Sequence, residues 1–292
     1  MVIRIAMSGL LFLSGPLLSP QTARAQGATA NVNGISLRYE VEGSGEPLVL
    51  IHGWALSRTE WDGQVELLSP HYRVIRYDRR GFGESSGKPD VTADPADLKA
   101  LLETLGYPQA HILGHSAGGA VALTFAVRYP GMVDGLILFG AGPPDGFGLA
   151  WDGADAFPFE EWAEIARTRG IDSLRVAMSP LADMMFPGQP EGARRARREM
   201  AAYKGLDLID PAPPSNIVLP ARIDELRKVR APTLVIVGEH EMPYMQIVAD
   251  ALTYGITGAR KAVIPGGGHG VNWVEPERFV AEILRFLRAA EL

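Results

Sequence analysis

No cysteine occurs in the 292 residues, so disulfides cannot hold this chain and its core must do so. That absence is compatible with a periplasm. A basic stripe is lacking as well: 28 Lys and Arg stand against 34 Asp and Glu, for a formal net charge of -6 and a pI near 5.6. Nucleic-acid binding needs clustered cations to neutralise phosphates, so this balance excludes nucleic acid as a partner. The one basic cluster, Arg194, Arg195, Arg197 and Arg198, is flanked by Glu191 and Glu199 and reads as a solvated helix face. No two histidines share metal-ligand spacing on one helix, so neither a metal nor another cofactor is implied. Internal repeats and low-complexity tracts are also missing.

A long uninterrupted apolar run is the last absence. Arg4 precedes an apolar stretch over residues 5–18, but Ser14, Gly15 and Pro16 interrupt it. It falls short of the roughly 20 residues that a spanning helix needs, so no stable membrane anchor is expected. Ala23-Arg24-Ala25 then supplies small residues where a cleavage site requires them. Residues 1–25 are therefore expected to be a secretory signal peptide, with the mature chain beginning near Gln26 in the periplasm or outside the cell.

What is present points to a layered fold. Hydrophobic residues make up 47% and charged residues 21%, enough for one large core, as one domain or a domain with an insertion. Short β-rich runs alternate with helical patterns, which predicts crossover units and a mainly parallel sheet flanked by helices. Strands are expected over residues 35–42, 47–52, 72–77, 111–114, 135–139, 233–237 and 261–264. The later ones are almost continuously apolar, as strands covered on both faces should be. Asp94 is expected to cap a helix with Pro95 at its first position, Leu98, Leu101, Leu102 and Leu105 on one face, and Gly106 at its end. Pro276 opens a last helix with Phe279, Val280, Ile283, Phe286 and Leu287 facing inward. From about residue 143 to 229 the alternation gives way to prolines and bulky side chains, among them Trp151, Phe157, Trp162 and Phe186. The expected organisation is an α/β core over residues 26–142 and 230–292, with 143–229 inserted as a helical cap.

One motif carries chemistry. Gly114-His115-Ser116-Ala117-Gly118 follows an expected strand and precedes a helix expected over residues 120–129, matching G-x-S-x-G. A sharp strand-to-helix turn holds such a serine in a strained conformation, and only small residues fit two places before and after it. Ser116 is therefore the candidate nucleophile. A serine hydroxyl is weak at neutral pH and needs a base, itself oriented by a third group. Of the six histidines, His52 and His115 stand beside glycines in tight loops, and His71 and His111 begin strands, positions that suit packing. His240 lies between Glu239 and Glu241, and His269 sits in a glycine loop after the last strand. The anion formed on attack needs preorganised donors, for which the backbone N–H groups of Ala117 and Trp54 are the candidates.

A family resemblance rests on several motifs together. Ile51-His52-Gly53-Trp54, Trp61-Asp62-Gly63-Gln64, Tyr77-Asp78-Arg79-Arg80-Gly81-Phe82-Gly83-Glu84-Ser85 and the serine motif are similar to those of esterases and cofactor-free haloperoxidases, or perhydrolases. Gly238-Glu239-His240-Glu241, Gly258-Ala259-Arg260-Lys261 and Gly268-His269-Gly270-Val271-Asn272 are similar to those of enol-lactonases and related carboxylester hydrolases. Over about residues 32–287 the chain thus resembles the α/β-hydrolase superfamily. The resemblance implies the α/β-hydrolase fold and a chain order of serine, acid, histidine, which selects His269 as the base. It also places Glu241 where most relatives carry aspartate, with Glu239 and Asp145 as alternative acids, and Ala117 where many carry methionine. Haloalkane dehalogenases and epoxide hydrolases have an aspartate nucleophile at the position of Ser116, so those branches are excluded. Asp78 is expected to be structural, its charge held by neighbouring arginines and amides.

The expected activity is hydrolysis of a small ester or lactone through an acyl-enzyme, with a Ser-His-Glu triad. Perhydrolysis, carbon–carbon bond hydrolysis and ligand reception with a slow triad are the rival expectations. The oligomeric state is not legible in the sequence.

Overall fold

The computed structural model describes residues 27–149, 157–210 and 220–290; the expected signal peptide and Trp151 lie outside them. Among the described residues eight strands form one sheet: β1 (Ala28–Val32), β2 (Ile35–Glu42), β3 (Pro47–Ile51), β4 (Arg73–Tyr77), β5 (Ala110–His115), β6 (Val133–Phe139), β7 (Thr233–Gly238) and β8 (Arg260–Ile264). Their order is β1-β2-β4-β3-β5-β6-β7-β8. The β1–β2 and β2–β4 pairs are antiparallel and all others parallel. The chain thus has the α/β-hydrolase fold, with a mainly parallel sheet. β5, β7 and the inner part of β6 are buried throughout, which explains their largely apolar sequences.

The helices that cover the sheet are α1 (Asp62–Leu68), α2 (Asp94–Leu105), α3 (Ala117–Arg128), α8 (Pro243–Gly255), α9 (Val271–Val274) and α10 (Pro276–Ala290). Among the described residues between β6 and β7 lie α4 (Phe159–Arg169), α5 (Ile171–Met185), α6 (Pro190–Met200) and α7 (Leu206–Ile209). Leu98, Leu101, Phe125, Val248 and Leu252 pack on one face of the sheet, whereas Trp61, Leu68, Phe279, Ile283 and Leu287 pack on the other. Each such side chain, fully buried, contributes about 1.5–3 kcal/mol relative to exposure. Helices α4 to α6 bring their own apolar cluster, built from Trp162, Leu174, Met178 and Phe186, which also takes in Leu56 and Phe82 of the core loops.

Three local readings of the sequence are corrected. Strand β1 was not foreseen: its five residues alternate weakly and it occupies the sheet edge. Its hairpin turn is Asn33-Gly34, both at positive φ (45° and 78°), and that dipeptide is the signal that marks it. Asp94 is not a cap, since Ala93 holds the N-cap position of α2. The buried Asp94 carboxylate instead accepts from Arg79 Nε and Nη2 at 2.9 and 2.7 Å, tying the loop after β4 to α2. Helix α3 also starts at Ala117, directly after the serine, rather than at residue 120.

Candidate active site

Strand β5 ends and α3 begins within one residue, and Ser116 absorbs the reversal. Its φ is 52° and ψ is -117°, a conformation that L residues rarely adopt and that tertiary structure must hold in place. The Ser116 N–H donates to Phe139 O at 2.9 Å, and its own carbonyl accepts the N–H groups of Gly119 and Gly142 at 2.9 Å each. The flanking glycines are required by close approach: a Cβ on Gly114 would lie 2.2 Å from Gly118 O, and one on Gly118 would lie 2.4 Å from Ile51 O. Ser116 is half-buried, and among the described residues its hydroxyl has no hydrogen-bond partner.

The loop after β7 carries Glu241 and the loop after β8 carries His269, and the two meet inside the protein. Both Glu241 oxygens lie 3.0 Å from His269 Nδ1, and Oε1 also accepts the Met242 N–H at 2.9 Å. Both residues are buried. An Nδ1–H aimed at a carboxylate fixes the tautomer and leaves Nε2 as the proton acceptor. Burial by itself disfavours the imidazolium of His269, but the charge and hydrogen bond of Glu241, with the charge of Glu60, outweigh it and raise the pKa above the ordinary 6.5.

The alternative acids lie elsewhere. Glu239 is exposed and accepts the Gly266 N–H at 3.0 Å, and Asp145 is exposed and paired with Arg222 at 3.4 Å. His240 points outward, its side chain 55% exposed. His52 is buried, with Nδ1 against Gly53 O at 2.8 Å and Nε2 accepting the Arg79 N–H at 3.0 Å. Burial, reinforced by the Arg79 charge, lowers its pKa to about 3, so it is a neutral structural residue. Asp78 is likewise committed to structure, accepting from the backbone N–H groups of Arg58 and Glu84 and from Arg58 Nη1.

The N–H groups of Trp54 and Ala117 have no acceptor among the described residues. Ala55, next to Trp54, has φ 60°, so the loop after β3 is also held in a strained shape. The Trp54 ring turns into the helices between β6 and β7, stacking on Trp162 at 5.8 Å, while its Nε1–H donates to Asp207 Oδ2 at 2.6 Å. A cleft of about 820 Å³ opens beside this loop, lined by Ala55, Leu56, Phe82 and Tyr203 among others; neither Ser116 nor His269 lines it. Two neighbours of the site were not singled out in the sequence for any such part: Glu60, and His115 beyond packing. Both are buried and both contact the loops of the site. Among the described residues no group of three or more His, Asp or Glu is placed to hold a metal ion.

Comparison with known proteins agrees with this fold. Residues 46–276 match the family model described as the alpha/beta hydrolase fold. A Rhizobium rhizogenes protein provisionally named carbamate hydrolase RutD is 28% identical over 87% of this chain and 98% of its own length. A non-heme haloperoxidase of Rhodococcus erythropolis is 29% identical over 88% of this chain and 97% of its own. The enol-lactonase from Burkholderia xenovorans LB400 superposes with a TM-score of 0.74 at 25% identity, over 89% of this chain and all of that one. With its sheet order, its serine turn and a family match over most of its length, the chain belongs to the alpha/beta hydrolase fold family.

Proposed function

We propose that this protein is a serine hydrolase that cleaves a small carboxylic ester or lactone, with Ser116 as nucleophile, His269 as base and Glu241 as the orienting acid. One observation carries the reading: a buried His269–Glu241 couple stands at the same sheet edge as a serine in strained backbone. Ser116 Oγ attacks the carbonyl carbon while His269 Nε2 takes its proton, and the tetrahedral oxygen is held by the Trp54 and Ala117 amides. Collapse expels the alcohol, protonated by His269; water, deprotonated by the same ring, then releases the acid. The hydrogen bond from serine to histidine is commonly long in a free enzyme and tightens in the substrate complex. Similarity to an enol-lactonase supports a lactone, which is a cyclic ester. Similarity to a haloperoxidase supports one further reading, in which peroxide replaces water at the acyl-enzyme.

Helices α4 to α7 act in this reading as a cap, which the Trp54–Asp207 bond between the loop after β3 and α7 supports. The leader-like residues 1–25 support export. The test is turnover of p-nitrophenyl acetate and of a lactone, carbamate and dione panel, with and without peroxide, by wild type and Ser116→Ala. The expected result is ester or lactone hydrolysis that falls by about 10⁴ or more in the variant. Ligand binding without Ser116-dependent turnover of any substrate would favour a receptor instead.

A further inference from the structure

A second carboxylate–imidazole contact lies behind the site, and the reaction as proposed does not use it. Glu60, on the short turn Arg58–Trp61, has a fully enclosed side chain. Its Oε2 accepts the Gly53 N–H at 2.9 Å, and its Oε1 lies 2.6 Å from His115 Nδ1. The second contact runs off the ideal hydrogen-bond direction, so it is a close polar contact rather than a directed bond. At the other end of the ring, His115 Nε2 faces the backbone oxygen of His269 at 3.1 Å; a carbonyl only accepts, so Nε2 carries a proton. The ring itself is wedged, stacking on Phe139 at 4.4 Å with Trp61 against its edge at 6.5 Å. The backbone oxygen of Glu60 accepts from Trp273 Nε1 at 2.8 Å, which pins the glutamate from the side of the His269 loop.

One carboxylate therefore reaches three pieces of the site: the loop that presents the Trp54 amide, the residue before Ser116, and, through His115, the loop that presents His269. A buried carboxylate carries a desolvation cost that apolar side chains of similar volume avoid, and stability alone is therefore a weak reason for this one. Donors to a developing oxyanion, by contrast, act only if they are held in place before the charge forms. We propose that Glu60, acting through Gly53 and His115, is a positioning residue that fixes the Trp54 amide relative to Ser116 and His269 without touching substrate. The inference rests on the serine-hydrolase reading above.

The experiment compares Glu60→Ala and Glu60→Gln in the full chain on p-nitrophenyl acetate, with kcat expressed per site titrated by a fluorophosphonate. Phenylboronic acid serves as the mimic of the tetrahedral state. Losing one oxyanion donor costs about 10²–10³ in kcat. Glu60→Ala is expected to lower kcat by about 10²-fold with KM within about threefold, and to weaken boronic acid binding by the same factor. Glu60→Gln keeps an acceptor for the Gly53 N–H but a neutral one, about half as strong, so its kcat should fall by about three- to tenfold. A merely structural role would reduce the number of titratable sites and leave kcat per site alone. Wild-type kcat per site in Glu60→Gln overturns the proposal, as does a loss that appears in KM while boronic acid affinity is unchanged. If Glu60→Ala does not fold, Glu60→Gln decides alone. Activity surviving in Ser116→Ala would instead sink the serine-hydrolase reading, so the two failures are separable.

Discussion

Glu241 presents both carboxylate oxygens to Nδ1 of His269 at 3.0 Å, across two loops that follow neighbouring strands. The carboxylate favours the imidazolium against burial, and the net pKa shift is upward. A base must be neutral to accept a proton, so kcat/KM should rise with pH through an apparent pKa above the ordinary 6.5. In Glu241→Gln only the Glu60 charge still opposes burial, so the limb should move to lower pH while kcat falls by about 10³–10⁴-fold. The same raised pKa means that the pair stabilises the fold fully below the unfolded-state value and loses that effect as pH rises through the folded one. A pH–rate profile of both proteins checks the sign; a limb that stays put or moves up contradicts the assignment.

Asp145 and Glu239 are exposed and engage Arg222 and the Gly266 amide rather than His269. Asp145→Asn and Glu239→Gln should each leave kcat within about twofold of wild type, and exposed pairs of this kind contribute only about 0–1 kcal/mol to stability. Loss of turnover in Asp145→Asn with retention in Glu241→Gln would move the acid to the end of β6.

Gly140 has a φ of +46°, and a Cβ there would lie 3.0 Å from His269 Cε1 and 3.1 Å from Glu241 Oε2. Neither group can retreat without breaking their mutual bond. Gly140→Ala should therefore lower kcat by about 10- to 10²-fold through misplacement of the imidazole. Wild-type kcat in that variant would show that the couple tolerates displacement.

Asp78 is buried and accepts three hydrogen bonds, from the Arg58 and Glu84 amides and from Arg58 Nη1. Asp78→Ala leaves buried donors and an arginine short of one partner, so it should destabilise the fold by about 3–5 kcal/mol. Urea denaturation measures this directly, and a change below about 1 kcal/mol would deny the carboxylate its structural part.

The site was legible where its physics is local. Gly114 and Gly118 are forced by atoms within the turn and the adjoining strand, and the loop of Glu241 follows a strand that is apolar and buried along its length. What the sequence hid depends on contacts between distant segments. Glu60 has no periodic or glycine signal, and its meaning comes from Gly53 on one side and His115 on the other. Asp94 has the composition of a cap but stands one residue past the N-cap, and the buried Arg79 takes its carboxylate. Trp54 could equally have walled a pocket; only the fold reveals Asp207, 153 residues away, as the acceptor for its indole.

Every other role in the site depends on Ser116 being the nucleophile, and a fluorophosphonate probe reads that role on the residue itself. Intact-mass and peptide-mapping spectrometry should find one adduct per chain, on Ser116, and none in Ser116→Ala. An unlabelled wild-type chain, or an adduct on any other residue, would contradict the account.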